Sequence, residues 1–138
     1  MRAVHRLTLT GDLPSPSFAR AWVSGHSVHV PREVLDDALL MVSELVTNAV
    51  RHGRPVVVLT LELRLDRIRI GVYDTGDRLP VMPAGRPSID RPTGRGLLIV
   101  AATASDWGVT CTDDRTGKTV WAEVPLRTVS ALSCPSPS

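Results

Sequence analysis

The sequence predicts an α/β (α+β) fold, a two-layer sandwich with helices on one face of a mixed, mostly antiparallel sheet. Two patterns point there. One long segment, from Pro31 to about His52, repeats apolar residues at helical spacing. Two later segments, residues 56–74 and 107–124, alternate apolar and polar residues on either side of a turn, as β-hairpins do.

Taken in order, residues 3–9 alternate as a strand and run into the turn-prone Gly11-Asp12-Leu13-Pro14. A short helix follows, with Phe18, Ala21 and Trp22 on one side, and gives out near Gly25. Pro31 suits the first position of the long helix, where its missing N–H costs nothing, and Gly53 with Pro55 ends that helix. Its apolar stripe is Val42, Leu45, Val46, Ala49 and Val50. In the first hairpin Leu59, Leu61, Leu63 and Leu65 share one face, Asp66-Arg67 turns the chain, and Ile68, Ile70 and Val72 resume the alternation. The second hairpin turns between Asp113 and Gly117 and aims Val120, Ala122 and Val124 at the core. Between the hairpins, residues 75–95 hold prolines, glycines and arginines with few apolar anchors, as a lid does. Leu97 to Ala102 is an apolar run that reads as a short helix. One domain over residues 1–126, then a flexible tail over 127–138, is the expected organisation.

Composition excludes several classes. A formal net charge of +2, with one Phe, one Tyr and three Trp, supplies neither the basic surface nor the stacking platform of a nucleic-acid binder. Two cysteines, one of them in the Pro/Ser-rich tail, do not make a disulfide framework. No charged-then-apolar leader opens the chain and no apolar run reaches about 18 residues, so no membrane segment and a cytoplasmic location are expected.

Four segments carry possible chemistry. Glu44 and Asn48, in the string ELVTNAVRHG, stand one helical turn apart on a face away from the apolar stripe. A carboxylate there suits deprotonating or orienting a hydroxyl, and a carboxamide oxygen suits Mg2+; a solvated helix flank is the plain alternative. Asp74 ends a strand with Gly76 two residues on, which fits a carboxylate accepting from an exocyclic amine beside a glycine that lets a ring approach, or simply a turn. Gly94 and Gly96 bracket a helix start, where bare backbone N–H groups close on phosphate, and Arg91 and Arg95 stand where a guanidinium reaches a terminal phosphate. Gly117-Lys118-Thr119 looks like a P-loop fragment but lies in a hairpin and lacks the first glycine, so it reads as a turn glycine and polar strand residues.

In this order the segments resemble the ATP-binding domain shared by gyrase, the heat-shock chaperones and the sensor histidine kinases, over about residues 5–125. The single-domain size and SELVTNAVRHG, with GRGLLIV and GKTVWAEV, look most like the bacterial anti-sigma-factor serine/threonine kinases. That resemblance implies ATP and Mg2+ as ligands, with Asn48 on the metal and Glu44 as base or water-orienting residue. It implies that Asp74 holds the adenine amine beside Gly76, that Gly94 and Gly96 meet the phosphates, and that Thr119 lies near the adenine. It further implies nucleotide held between helices and lid, a sigma factor and an anti-sigma antagonist protein as partners, and a homodimer. One departure matters: the family's DxGxG pattern keeps only its first glycine here, since Asp77-Arg78 follow. A sensor histidine kinase is not expected, because no dimerisation helix with a phosphoacceptor histidine precedes the domain, and His52 closes the nucleotide helix.

The reading is an ATP-dependent serine/threonine kinase that acts as an anti-sigma factor by phosphorylating an antagonist. Its alternative is a regulatory module that sequesters a partner without phosphotransfer, with or without nucleotide. A metabolic or structural α/β domain with accidental glycines comes third. Nucleotide binding separates the third from the others, and phosphotransfer separates the first two.

Overall fold

A computed structural model of the protein describes residues 2–9, 16–52, 56–75, 100, 102–112 and 116–126. The chain runs β1 (Ala3–Leu9), α1 (Pro16–His26), α2 (Arg32–His52), β2 (Val57–Leu63), β3 (Arg67–Asp74), β4 (Asp106–Cys111) and β5 (Lys118–Pro125). The five strands form one sheet in the order β1-β2-β3-β5-β4. Each neighbouring pair is antiparallel, so among the described residues the sheet is antiparallel throughout rather than mixed. The helices cover one face, giving the two-layer α+β sandwich.

Alternation decides which side chains meet the helices. Leu59 and Leu61 on β2, Ile68, Ile70 and Val72 on β3, and Val120, Ala122 and Val124 on β5 join one buried core with α2. From α2 come Val34, Ala38, Met41, Val42, Leu45, Val46 and Ala49, a stripe at helical spacing. Val50 departs from the expected stripe: it is exposed, because it lies beyond the arc that touches the sheet. On α1 the buried pair is Ala19 and Val23, one turn apart, with Trp22 partly buried. Phe18 is 57% exposed, which rotates this helix from the expected face, while the helix ends at His26, next to Gly25 where its end is expected. Pro31 stands just before the first turn of α2, and its carbonyl accepts from the Leu35 N–H at 2.9 Å.

The first hairpin turns one residue earlier than its pattern suggested. Arg64 N–H donates to the Arg67 carbonyl at 2.9 Å, so Leu65 and Asp66 form the turn and Arg67 opens β3. Leu65 is accordingly 77% exposed instead of joining Leu59 and Leu61. Of the run expected to be helical before β4, Val100 and Ala102 are helical, and Ala104 N–H closes onto the Val100 carbonyl at 2.8 Å. Val100 is fully buried in the core. The remainder of that run, the lid and the tail lie outside the described residues.

The outer face of the sheet is polar and aromatic. Arg69 lies over the Trp121 ring at 4.0 Å and also pairs with Glu123 at 2.9 Å. Gly108 is the strand position that lets this ring lie flat, since a Cβ there would meet Trp121 Cζ2 at 2.9 Å.

Candidate functional site

The direction of α2 over the sheet determines where chemistry gathers. Glu33, Val34 and Asp37, at the start of α2, share a cleft with Val124 and Pro125 at the end of β5. Pro125 is in register with Arg67, the first residue of β3. Glu44 and Asn48 lie in the second half of the same helix, away from that cleft. At the opposite end of these strands Asp74 ends β3 and Lys118 begins β5, in register with each other.

Glu44 and Asn48 are half-buried beside the buried Leu45, Val46 and Ala49. The stripe fixes the helix rotation, and that rotation leaves both polar side chains at the edge of the packed face. Arg20 on α1 donates to Ser43 Oγ at 2.8 Å, tying the two helices together one residue before Glu44. Among the described residues no group of three or more His, Cys, Asp or Glu side chains forms a metal cage. A lone carboxamide oxygen at Asn48 suits Mg2+, which takes few protein ligands and completes its octahedron with water and phosphate oxygens.

Asp74 is 2% exposed at the strand end, on the helix-facing side of the sheet. Its Oδ1 accepts from Lys118 Nζ at 2.7 Å, and the Lys118 residue is itself 4% exposed. This is a buried, charge-assisted pair, short enough to fix both side chains. The next inward pair on these strands is Val72 with Val120, so the two charges stand at the rim of the apolar core.

Thr119 is elsewhere. It is in register with Tyr73, and its Cγ2 lies 3.1 Å from where a Cβ on Gly71 would stand, which puts it on the outer face. The residue that meets Asp74 from β5 is Lys118. Strand parity is the signal that finds it, because the alternation aiming Val120, Ala122 and Val124 inward also aims Lys118 inward and Thr119 outward. Gly117 precedes it under the Tyr73 ring, too close for any Cβ there without moving that ring. The structure thus brings Asp74 and Lys118 together, and places Glu44 and Asn48 one turn apart on α2. Gly76, Arg91, Gly94, Arg95 and Gly96 lie outside the described residues.

A Streptomyces coelicolor protein described as uncharacterized is 33% identical over 76 residues, covering 53% of this chain and 72% of that protein. The model of the histidine kinase-like ATPase domain matches residues 16–124, a span that takes in both helices and reaches the last strand. The chain belongs to the histidine kinase-like ATPase domain family, whose fold implies ATP as ligand.

Proposed function

We propose that the protein is an ATP-dependent serine/threonine kinase that acts as an anti-sigma factor, phosphorylating an antagonist protein and alternately holding a sigma factor. The observation that supports it most is Glu44 and Asn48 on one helix, half-buried and one turn apart, with Asp74 buried at the end of β3. A base and a Mg2+ ligand are needed at the phosphate end, and an amine acceptor at the base end.

In this reading Asn48 carries Mg2+, and the metal supplies charge neutralisation on the phosphates. Glu44 orients the attacking serine hydroxyl and accepts its proton. Asp74 orients the nucleotide through its amine, and Gly94 and Gly96 offer backbone N–H groups to the phosphates, aided by Arg91 and Arg95. Pairing of two subunits around one sigma factor belongs to the same proposal.

The second reading, a regulatory module that sequesters a partner without phosphotransfer, is favoured by one observation. The Asp74 carboxylate already carries a buried ammonium on Oδ1. One experiment separates the two: the purified protein with γ-labelled ATP, Mg2+ and a candidate antagonist. The kinase reading expects Mg2+-dependent label on an antagonist serine. Mg2+-dependent ATP binding with no transfer to any antagonist that binds the protein gives the regulatory module instead.

A further inference from the structure

A cavity of about 460 Å3 opens between the loop joining α1 to α2 and the β2–β3 turn, and its lining includes His26, Ser27, His29, Arg64, Leu65 and Leu126. That turn leads into Arg67, which is in register with Pro125, whereas Asp74 pairs with Lys118 at the other end of β3. The cavity is therefore separate from Asp74, and it has the size of a pocket for one small molecule. Part of its wall is apolar. Val30, Leu63 and Leu126 are partly buried against the core, and Leu65 stands 77% exposed at the turn. An apolar ligand that covers Leu65 removes from water a side chain that the turn leaves there. The polar part consists of hydrogen-bond donors. Ser27 is 2% exposed, and its Oγ has no hydrogen-bond partner. A buried hydroxyl without a partner is costly, so a group that meets it from the cavity gains that bond. Arg64 bonds Glu62 Oε1 through Nε at 2.7 Å and Nη2 at 2.6 Å, and its remaining N–H groups are left for a ligand. The His26 ring is held by stacking on His5 at 4.1 Å and by edge contact with Trp22 at 4.9 Å. Each lining imidazole brings at least one N–H donor. No Asp or Glu is found among the described residues that line the cavity.

We propose that this cavity is a second ligand site, which binds a small monocarboxylic acid with an apolar body. The ligand carboxylate accepts from Ser27 Oγ and Arg64, and the body lies against Leu63, Leu65 and Leu126. A carboxylate offers only acceptors, which matches a wall that offers donors and no competing acid. The proposal does not depend on the kinase reading.

The test titrates the full, isotope-labelled chain with octanoate and with octylammonium, which carries the same body and the opposite head, and follows the backbone amide resonances. Octanoate should shift the amides of residues 26–30, 63–65 and Leu126 and saturate with a dissociation constant of about 1 mM or tighter. Octylammonium should bind weaker by about tenfold or more. Ser27→Ala and Arg64→Gln should each weaken octanoate by about three- to tenfold. Ser27→Ala should also melt no lower than wild type, because it removes a hydroxyl that has no partner in the fold. Arg64→Gln answers the question if the alanine variant does not fold. Absence of saturation, shifts centred elsewhere in the chain, or equal binding of the two heads overturns the proposal. So does unchanged octanoate affinity in either folded variant, and a lower melt in Ser27→Ala with that affinity unchanged would mean that the hydroxyl serves the fold alone.

Discussion

Glu44→Gln is expected to leave ATP binding within about twofold of wild type while single-turnover transfer to an antagonist serine falls by a factor of about 100 or more. The substitution keeps the size and the hydrogen-bonding reach of the side chain and removes only its ability to take a proton. Glu44 sits half-buried between the core residues Leu45 and Val46 on one side and Ser43, which accepts from Arg20, on the other. The helix that carries it is held on two sides, so the variant should keep its fold, and a melting curve checks that. Transfer at the wild-type rate would remove Glu44 as base. A parallel loss of ATP binding would place it at the nucleotide instead of at the hydroxyl.

The second large effect concerns the buried pair. Asp74→Leu leaves the Lys118 ammonium at 4% exposure without its carboxylate. Losing one partner of a buried pair costs about 3–5 kcal/mol, which lowers the melting temperature by roughly 10–20 °C for a domain of this size. Asp74→Leu combined with Lys118→Met removes both charges and should regain most of that loss, because two apolar side chains can extend the core beyond Val72 and Val120. ATP binding should not return with the stability. Asp74→Asn is milder for the fold, since its carboxamide oxygen still accepts from Lys118. Its amide N–H groups oppose the adenine amine, which should weaken ATP about ten- to a hundredfold. Calorimetric binding and thermal melts on the three variants separate the two roles of Asp74. Wild-type ATP affinity in Asp74→Asn would end its assignment to the base.

Much of this architecture is legible in the sequence because its signals are local. The stripe of α2 and the alternation of β2, β3 and β5 are set by residues two to four positions apart. Where the pattern misleads, the cause is also local. Phe18 looks like the anchor of α1, yet the smaller Ala19 and Val23 are the side chains the helix buries, and Phe18 lies outside that face. Leu65 continues an apolar alternation, but a two-residue turn needs it. The Asp74–Lys118 contact is of a different kind. It joins residues 44 positions apart through the pairing of β3 with β5, and no short-range pattern encodes that pairing. Parity alone places Lys118 inward; only the sheet order says which carboxylate it meets. The resemblance that points to Thr119 is one residue from the side chain that the register brings to Asp74.

A chain with one lysine carries its own chemical reporter. An amine-acylating reagent has two targets here, the N-terminal amine and Lys118 Nζ. The second is shielded by burial and by its bond to Asp74. Acylation of Lys118 therefore proceeds only in molecules where the ends of β3 and β5 have parted, and its rate relative to the N-terminus measures how often they part. Mass spectrometry should find the N-terminal adduct first and the lysine adduct slowly, with ATP slowing the lysine further. Fast, nucleotide-insensitive labelling of Lys118 would mean that the strand ends open freely.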